Sequence, residues 1–169
     1  MQSQPIAKMK IKFFTTGGTI DKVYFDSKSE FEVGSPTVLD VLKDANVAFE
    51  SECESILRKD SLDISDSDRQ LIRDRVIAEP NTKIIITHGT DTMPRTAEFL
   101  LGIPEKTIVL TGSMQPARFR LSDATFNIGA AVSAVQILPA GVYIVMNGRV
   151  FHPPQVRKNR ELNRFEDIQ

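Results

Sequence analysis

Two short stretches carry residue types suited to nucleophilic catalysis. One is Thr15-Thr16-Gly17-Gly18-Thr19 and the other is Thr87-His88-Gly89-Thr90-Asp91-Thr92. A threonine hydroxyl is a weak nucleophile until a base removes its proton. A lysine of lowered pKa can be that base, as in serine–lysine variants of the catalytic triad, and a neighbouring carboxylate can orient it. Asp91 places such a carboxylate inside the second stretch. Paired glycines, here Gly17 and Gly18, let the backbone approach a ligand closely or take a positive φ. There is no Gly-x-Ser-x-Gly elbow, and His88 and His152 lack the spacing of metal ligands, so neither a metal nor a cofactor is expected. Taken singly, each threonine is an ordinary turn or capping residue; it is the recurrence of the pattern that points to chemistry.

Both stretches follow apolar runs. Ile84-Ile85-Ile86 reads as a strand buried on both faces. It stops at Thr-His-Gly, and Asp91 or Thr92 then caps a helix from Pro94 to Leu101, with the proline in the first turn where its missing N–H costs nothing. Lys10 to Thr16 predicts a first strand. Residues 20–36 predict a hairpin flap, with Val23-Tyr24-Phe25 opposite Phe31-Glu32-Val33-Gly34. Thr37 caps a helix over 38–44 with Leu39 and Leu42 inward. A strand is expected from Val47 to Ile56. Ser65 or Asp66 caps a helix to Ala78, in which Leu71, Ile72, Arg75 and Val76 share a 3.6-residue period with the arginine stem along the rim. Lys106–Thr111 and Val142–Met146 read as further strands, separated by a helix capped at Ser122 or Asp123 that runs to about Leu138. Asn147-Gly148 predicts a hairpin turn into Arg149-Val150-Phe151. Gln155 to Gln169 reads as a polar loop or tail. Strands alternating with helices imply a single α/β domain, a doubly wound, mainly parallel sheet with helices on both faces, flavodoxin- or Rossmann-like. Ligands of such sheets bind outside the carboxyl ends of the strands, where both threonine stretches fall.

The 169 residues suit one domain, with residues 1–9 a flexible N-terminus and 10–169 the α/β unit. A net charge of −1 and the lack of any Lys/Arg-rich run argue against a nucleic-acid partner. No apolar run reaches membrane length and Met1–Lys10 holds no signal-peptide core, so no membrane association is expected. A single cysteine, Cys53, precludes an intramolecular disulfide and fits a reducing, cytoplasmic setting; its apolar neighbours suggest inert core.

The chain resembles the bacterial-type L-asparaginase family. The resemblance rests on Thr16-Gly17-Gly18-Thr19-Ile20 and Ile86-Thr87-His88-Gly89-Thr90-Asp91-Thr92-Met93, and extends through Thr111-Gly112-Ser113-Met114-Gln115-Pro116, Ser122-Asp123, Phe126-Asn127 and Val145-Met146-Asn147. It implies hydrolysis of a side-chain amide, of L-asparagine or a near relative, to acid and ammonia in two covalent half-steps. Thr19 matches the attacking threonine. Thr90 matches the second threonine, which the family pairs with a lysine and an aspartate; here these are Lys158, in Val156-Arg157-Lys158, and Asp91, which also holds the substrate's α-amino group. Asp60-Ser61-Leu62-Asp63-Ile64 resembles the carboxylate-binding loop and puts Ser61 on the α-carboxylate. Gly18 and Thr90 complete the substrate contacts. Backbone N–H groups near Ser113-Met114 or in the glycine-rich turn are candidates for the oxyanion. His88 is expected to hold its loop by hydrogen bonds.

The chain departs from the family pattern in three places. Phe31 aligns with the flap tyrosine and lacks its hydroxyl, leaving Tyr24 to fill that role. Leu62 stands where a polar residue is usual. The family's second, smaller domain is absent, as in a short natural form or a fragment. An amino-acid-binding or regulatory module, or one component of a larger amidotransferase, are the competing readings. An open single-domain pocket also implies a homodimer or larger homo-oligomer, with Arg118, Phe119 and Arg120 as a contact loop.

Overall fold

The computed structural model describes residues 9–25 and 30–168. Its strands are β1 (Lys10–Gly17), β2 (Lys22–Phe25), β3 (Glu30–Val33), β4 (Glu50–Lys59), β5 (Lys83–Thr87), β6 (Thr107–Thr111), β7 (Gly141–Met146), β8 (Arg149–Phe151), β9 (Val156–Asn159) and β10 (Arg164–Asp167). Its α-helices are α1 (Val38–Asp44), α2 (Asp66–Ala78), α3 (Met93–Phe99) and α4 (Ala124–Ile137). One six-stranded sheet runs β4-β1-β5-β6-β7-β8, parallel except for the edge strand β8.

Each face of the sheet is covered by two helices. Ile84 and Ile86 point to one face, where Ile72, Val76, Met93 and Ala97 of α2 and α3 meet them. Ile85 points to the other, against Val38 and Leu42 of α1 and Ile128, Ala131 and Val135 of α4. A strand enclosed on both sides needs apolar residues at every position, which is why β5 shows no alternation. The first connection from β1 runs outward to β4, and the next strand, β5, lies on the other side of β1. The winding therefore reverses between β1 and β5, and their carboxyl-end loops part to leave a crevice. The doubly wound α/β expectation is met.

Local signals placed several elements well. Ser65 caps α2 in a full capping box with Asp68, each side chain bonded to the other's backbone N–H. Asn147 (φ 53°) and Gly148 (φ 75°) make the tight turn between β7 and β8.

Other expectations need correction. β4 starts at Glu50, not Val47, because its ladder begins where β1 begins, at Lys10 opposite Glu50. In α1, Val38 and Leu42, four residues apart, share the buried face, and Leu39 is 47% exposed. In α2, Ile72 and Val76 are buried, Leu71 is exposed, and the inward charged residue is Arg69. The 155–169 segment is not a plain tail: β9 and β10 form an antiparallel hairpin that sinks Val156 and Phe165 into the core. Polar residues between those two hydrophobes hid the pattern. The segment 1–8 lies outside the described residues, and Met9 accepts a hydrogen bond from Glu50 N–H. Cys53 is only partly buried at the edge of the α1/α4 core, and burial pushes its thiol up to about 11.

Candidate active site

The crevice is built by three loops in backbone contact. After β1, Gly17 and Gly18 take φ of 93° and 88°. A Cβ on Gly18 would lie 2.5 Å from Cα and N of Gly89, so only glycine lets the two threonine loops touch. Thr16 Oγ1 donates to the Thr87 carbonyl at 2.9 Å and ties the strand ends together. The third loop is a single 3₁₀ turn, Ser61–Asp63, capped by the Asp60 side chain, which accepts Leu62 N–H at 3.1 Å. Ser61 packs against Gly89, where an added Cβ would lie 2.6 Å from the Ser61 Cβ. Thr92 Oγ1 donates to the Ser61 carbonyl at 2.7 Å. Thr92 begins α3 without a side-chain cap because its hydroxyl serves this link.

The β9–β10 hairpin brings in the cation. Lys158 Nζ lies 2.7 Å from Thr90 Oγ1 and 3.0 Å from Asp91 Oδ1. Thr90 is buried, and the Lys158 side chain is only 16% exposed. Packing of Val156 and Phe165 into the core aims β9, and Asn147 Oδ1 accepts Phe165 N–H at 2.9 Å to set the hairpin's height. A second cation, Arg160, reaches the same Asp91 oxygen at 3.3 Å from the solvent side. At the rim, burial works against ionisation of Asp60. Lys22 at 2.8 Å, the Leu62 N–H and the Lys158 charge outweigh it and hold the carboxyl below its usual range.

Thr19 opens a short 3₁₀ turn, Thr19–Asp21, and lines an open hollow with Lys22, Phe31, Gln115, Pro116 and Phe119. Above it stands the β2–β3 hairpin, in which Tyr24 and Phe31 face each other in register with ring centroids 5.1 Å apart. Phe31 then meets Phe119 at 6.0 Å. Tyr24 thus lies one ring further from the Thr19 hollow than Phe31 does. Both roots of the hairpin fasten to Asp21: its carbonyl accepts Gly34 N–H at 2.7 Å, and its buried carboxylate accepts Thr37 N–H at 2.8 Å and the Thr37 hydroxyl at 2.9 Å. Burial raises that carboxyl, partly offset by the Thr37 donors.

His88 is fully buried. Its Nδ1 donates to the Gly89 carbonyl at 2.7 Å, and its Nε2 meets Thr96 Oγ1 at 2.8 Å. Burial lowers its pKa to about 4, so the ring is neutral and holds the loop. Of the proposed oxyanion donors, Met114 N–H and Gln115 N–H are already bound to Asp123, each at 3.0 Å, and Gly18 N–H is bound to the Lys59 carbonyl at 2.9 Å. Sequence reading missed Arg160, Arg69 and Thr96. Nothing in their spacing distinguishes them from surface or ordinary helix residues. Asp123 makes no side-chain cap on α4; its carboxylate takes the Met114 and Gln115 N–H groups, and Ser122 Oγ accepts Ala124 N–H at 3.1 Å.

Comparison with known proteins bears on this geometry. A family model described as Asparaginase, N-terminal, matches residues 10–167. A glutamyl-tRNA(Gln) amidotransferase component from Saccharolobus islandicus is 31% identical over 157 residues, covering 82% of this chain and 33% of that protein. Glutaminase-asparaginase of Acinetobacter glutaminasificans is 31% identical over 170 residues, covering 89% and 50%. Among solved structures, the thermostable L-asparaginase from Thermococcus kodakarensis superposes with a TM-score of 0.79 at 29% identity, over 95% of this chain and 51% of that one. A probable cytoplasmic L-asparaginase from Campylobacter jejuni gives 0.80 at 29%, over 95% and 53%. The chain spans a third to about half the length of these relatives.

Proposed function

We propose a function from one premise: the chain belongs to the asparaginase family, whose N-terminal domain it matches over residues 10–167. It hydrolyses the side-chain amide of L-asparagine, or of a close relative, to the carboxylate and ammonia. The observation that carries this reading is Lys158 Nζ at 2.7 Å from the buried Thr90 hydroxyl and 3.0 Å from Asp91. That is the hydroxyl–base–carboxylate set a threonine amidase requires.

In the proposed reaction the Thr19 hydroxyl oxygen attacks the amide carbon, its proton passes to the departing nitrogen, and the C–N bond breaks to release ammonia and leave an acyl ester on Thr19. A water activated by Thr90, with Lys158 as proton acceptor, then attacks the ester, releases the acid and restores the Thr19 hydroxyl. Asp91 takes the substrate's α-ammonium as a charge-assisted hydrogen bond. Ser61 and Gly18, in contact with Gly89 from two sides, shape the seat of the α-carboxylate. Tyr24 is the flap phenol on the Thr19 side and reaches its working position when the hairpin closes. The substrate is a small amino-acid amide. The chain works in the cytoplasm as a homodimer or larger assembly, with Arg118, Phe119 and Arg120 in the contact. Ammonia release from asparagine by the purified chain, abolished in Thr19→Val and in Thr90→Val, is the expected result; no release from asparagine, glutamine or their D-isomers overturns it.

A second reading is favoured by the names of the first relatives, which are amidotransferase components. In it the chain releases ammonia only within a hetero-complex. Co-purification of a stoichiometric partner, with turnover dependent on it, distinguishes the two. Asparagine binding by calorimetry without any ammonia marks the regulatory module instead.

A further inference from the structure

Arg69 is buried to 1% exposure, a charged residue on the inner face of α2 that also carries Ile72 and Val76. Among the described residues, the carboxylate paired with its guanidinium is Asp66, which is 61% exposed and 3.2 Å away. A large charge held out of water with so thin a counter-charge is expensive unless its hydrogen bonds are used. They are: Nη1 donates to the Ile64 carbonyl at 2.9 Å, and Nε donates to Thr96 Oγ1 at 3.1 Å. Thr96 Oγ1 in turn lies 2.8 Å from His88 Nε2, and His88 Nδ1 lies 2.7 Å from the Gly89 carbonyl.

The direction of every bond in this chain follows from its two ends. The Gly89 carbonyl cannot donate, so Nδ1 carries the imidazole proton. The ring is neutral, so Nε2 is bare and accepts from the Thr96 hydroxyl. The Thr96 oxygen offers its lone pair to the Arg69 N–H, which turns the O–H away from the guanidinium and toward Nε2. Without that N–H, the Thr96 hydroxyl is free to fold back on the Thr92 carbonyl one helical turn earlier, as helical threonines do. A planar trans peptide points its N–H opposite to its carbonyl. Drawing the Gly89 carbonyl toward buried His88 therefore fixes the peptide plane that leads into Thr90, and turns the Thr90 N–H away from the histidine.

We propose that Arg69 is a positioning residue for the Thr90 loop, acting through Thr96 and His88 on the Gly89 carbonyl. The same guanidinium grips the Ile64 carbonyl, just beyond the Ser61–Asp63 turn. It thereby holds two walls of the crevice in one register. The proposal rests on the reading that Thr90 and Lys158 carry the chemistry, so its test has a readout independent of turnover.

The test uses the full chain labelled with ¹⁵N in its histidine rings. The chain has two histidines, and His152→Gln leaves the His88 signals alone. The expected spectrum shows His88 as the Nδ1–H tautomer with a bonded, slowly exchanging proton. Thr96→Val keeps the side-chain shape and removes the relay hydroxyl. It is expected to keep the Nδ1–H tautomer, which the Gly89 carbonyl fixes, but to shift the Nε2 resonance as that nitrogen loses its donor and to speed exchange of the Nδ1 proton, and to lower kcat for ammonia release about tenfold or more while KM stays within about twofold, because the reacting group is misplaced and the substrate seat is not. Arg69→Met is expected to give the same pair of changes, and Thr96→Val keeps the test valid where Arg69→Met unfolds. A folded Thr96→Val chain with unchanged exchange of the His88 Nδ1 proton, or with faster exchange and unaltered kcat, overturns the proposal. If the unmodified chain splits no amide, the proposed function fails, and unchanged Nδ1-proton exchange in Thr96→Val still counts separately against the relay.

Discussion

Replacing Lys158 with methionine removes the terminal amino group and keeps most of the stem. Two contacts disappear, at 2.7 Å to Thr90 and 3.0 Å to Asp91, from a side chain 16% exposed. If Lys158 is the proton acceptor for Thr90, loss of general-base catalysis lowers kcat about 10²- to 10⁴-fold, or about 3–5 kcal/mol in the barrier. The effect on stability is much smaller. A wholly buried pair cut in half costs about 3–5 kcal/mol, and an exposed one about 0–1. Here Asp91 is 28% exposed and keeps Arg160 at 3.3 Å, so it is not left bare. The expected cost is therefore about 1–2 kcal/mol, between those limits and nearer the lower, which for a chain of this size moves Tm by about 2–8 °C. Steady-state ammonia release and thermal melts on the same preparation read both quantities. A variant that keeps more than about a tenth of the activity refutes the base assignment. A variant that is inactive because it no longer melts cooperatively refutes the claim that the lysine's role is chemical.

Three further outcomes are expected. His88 has a folded pKa of about 4 against an ordinary 6.5, so the unfolded chain binds its proton first; stability is intact above pH 6.5 and falls as pH drops toward 4, by about 3 kcal/mol from this group. Urea midpoints measured from pH 7 to 4.5 should fall less steeply in His88→Gln, and parallel profiles contradict the assignment; Asp21, whose raised carboxyl contributes a slope of the opposite sign, is common to both proteins. Gly18→Ala should cost about 3 kcal/mol or more, since positive φ and a backbone collision combine, whereas Gly102→Ala, at φ 82° with open space around it, should cost only about 1–2; equal midpoints for the two in urea rule out loop contact as the cause. Tyr24→Phe should lower kcat about tenfold through loss of a proton-handling hydroxyl, with partial recovery when Phe31→Tyr is added, and unchanged kcat in the single variant removes Tyr24 from the mechanism.

Legibility in the sequence followed the range of the forces involved. The β5 strand was readable because enclosure on both faces demands three isoleucines in a row, and the turn at Asn147-Gly148 because few residues accept two successive positive φ values. The start of α2 was readable because a capping box needs only four consecutive residues. β9 and β10 were not, since each contributes a single deep hydrophobe, Val156 and Phe165, among polar neighbours. Period alone points Leu39 and Leu71 inward, yet both are exposed, because which side of a short helix faces the sheet depends on where the sheet lies.

The site divides in the same way. The amino-acid order by itself determined the two threonine loops, their position after buried strands, and the glycines that their contact requires, because these depend on residues adjacent in the chain. For Lys158 the sequence offered only a family resemblance: it stands 68 residues from Thr90, and what brings them to 2.7 Å is the burial of Val156 and Phe165 beneath the sheet. The burial of Arg69 and its line of hydrogen bonds to Gly89 were set wholly by the packing of α2 on α3. A charge enters an interior only where donors and acceptors from several distant segments converge, and that convergence exists only in the folded chain.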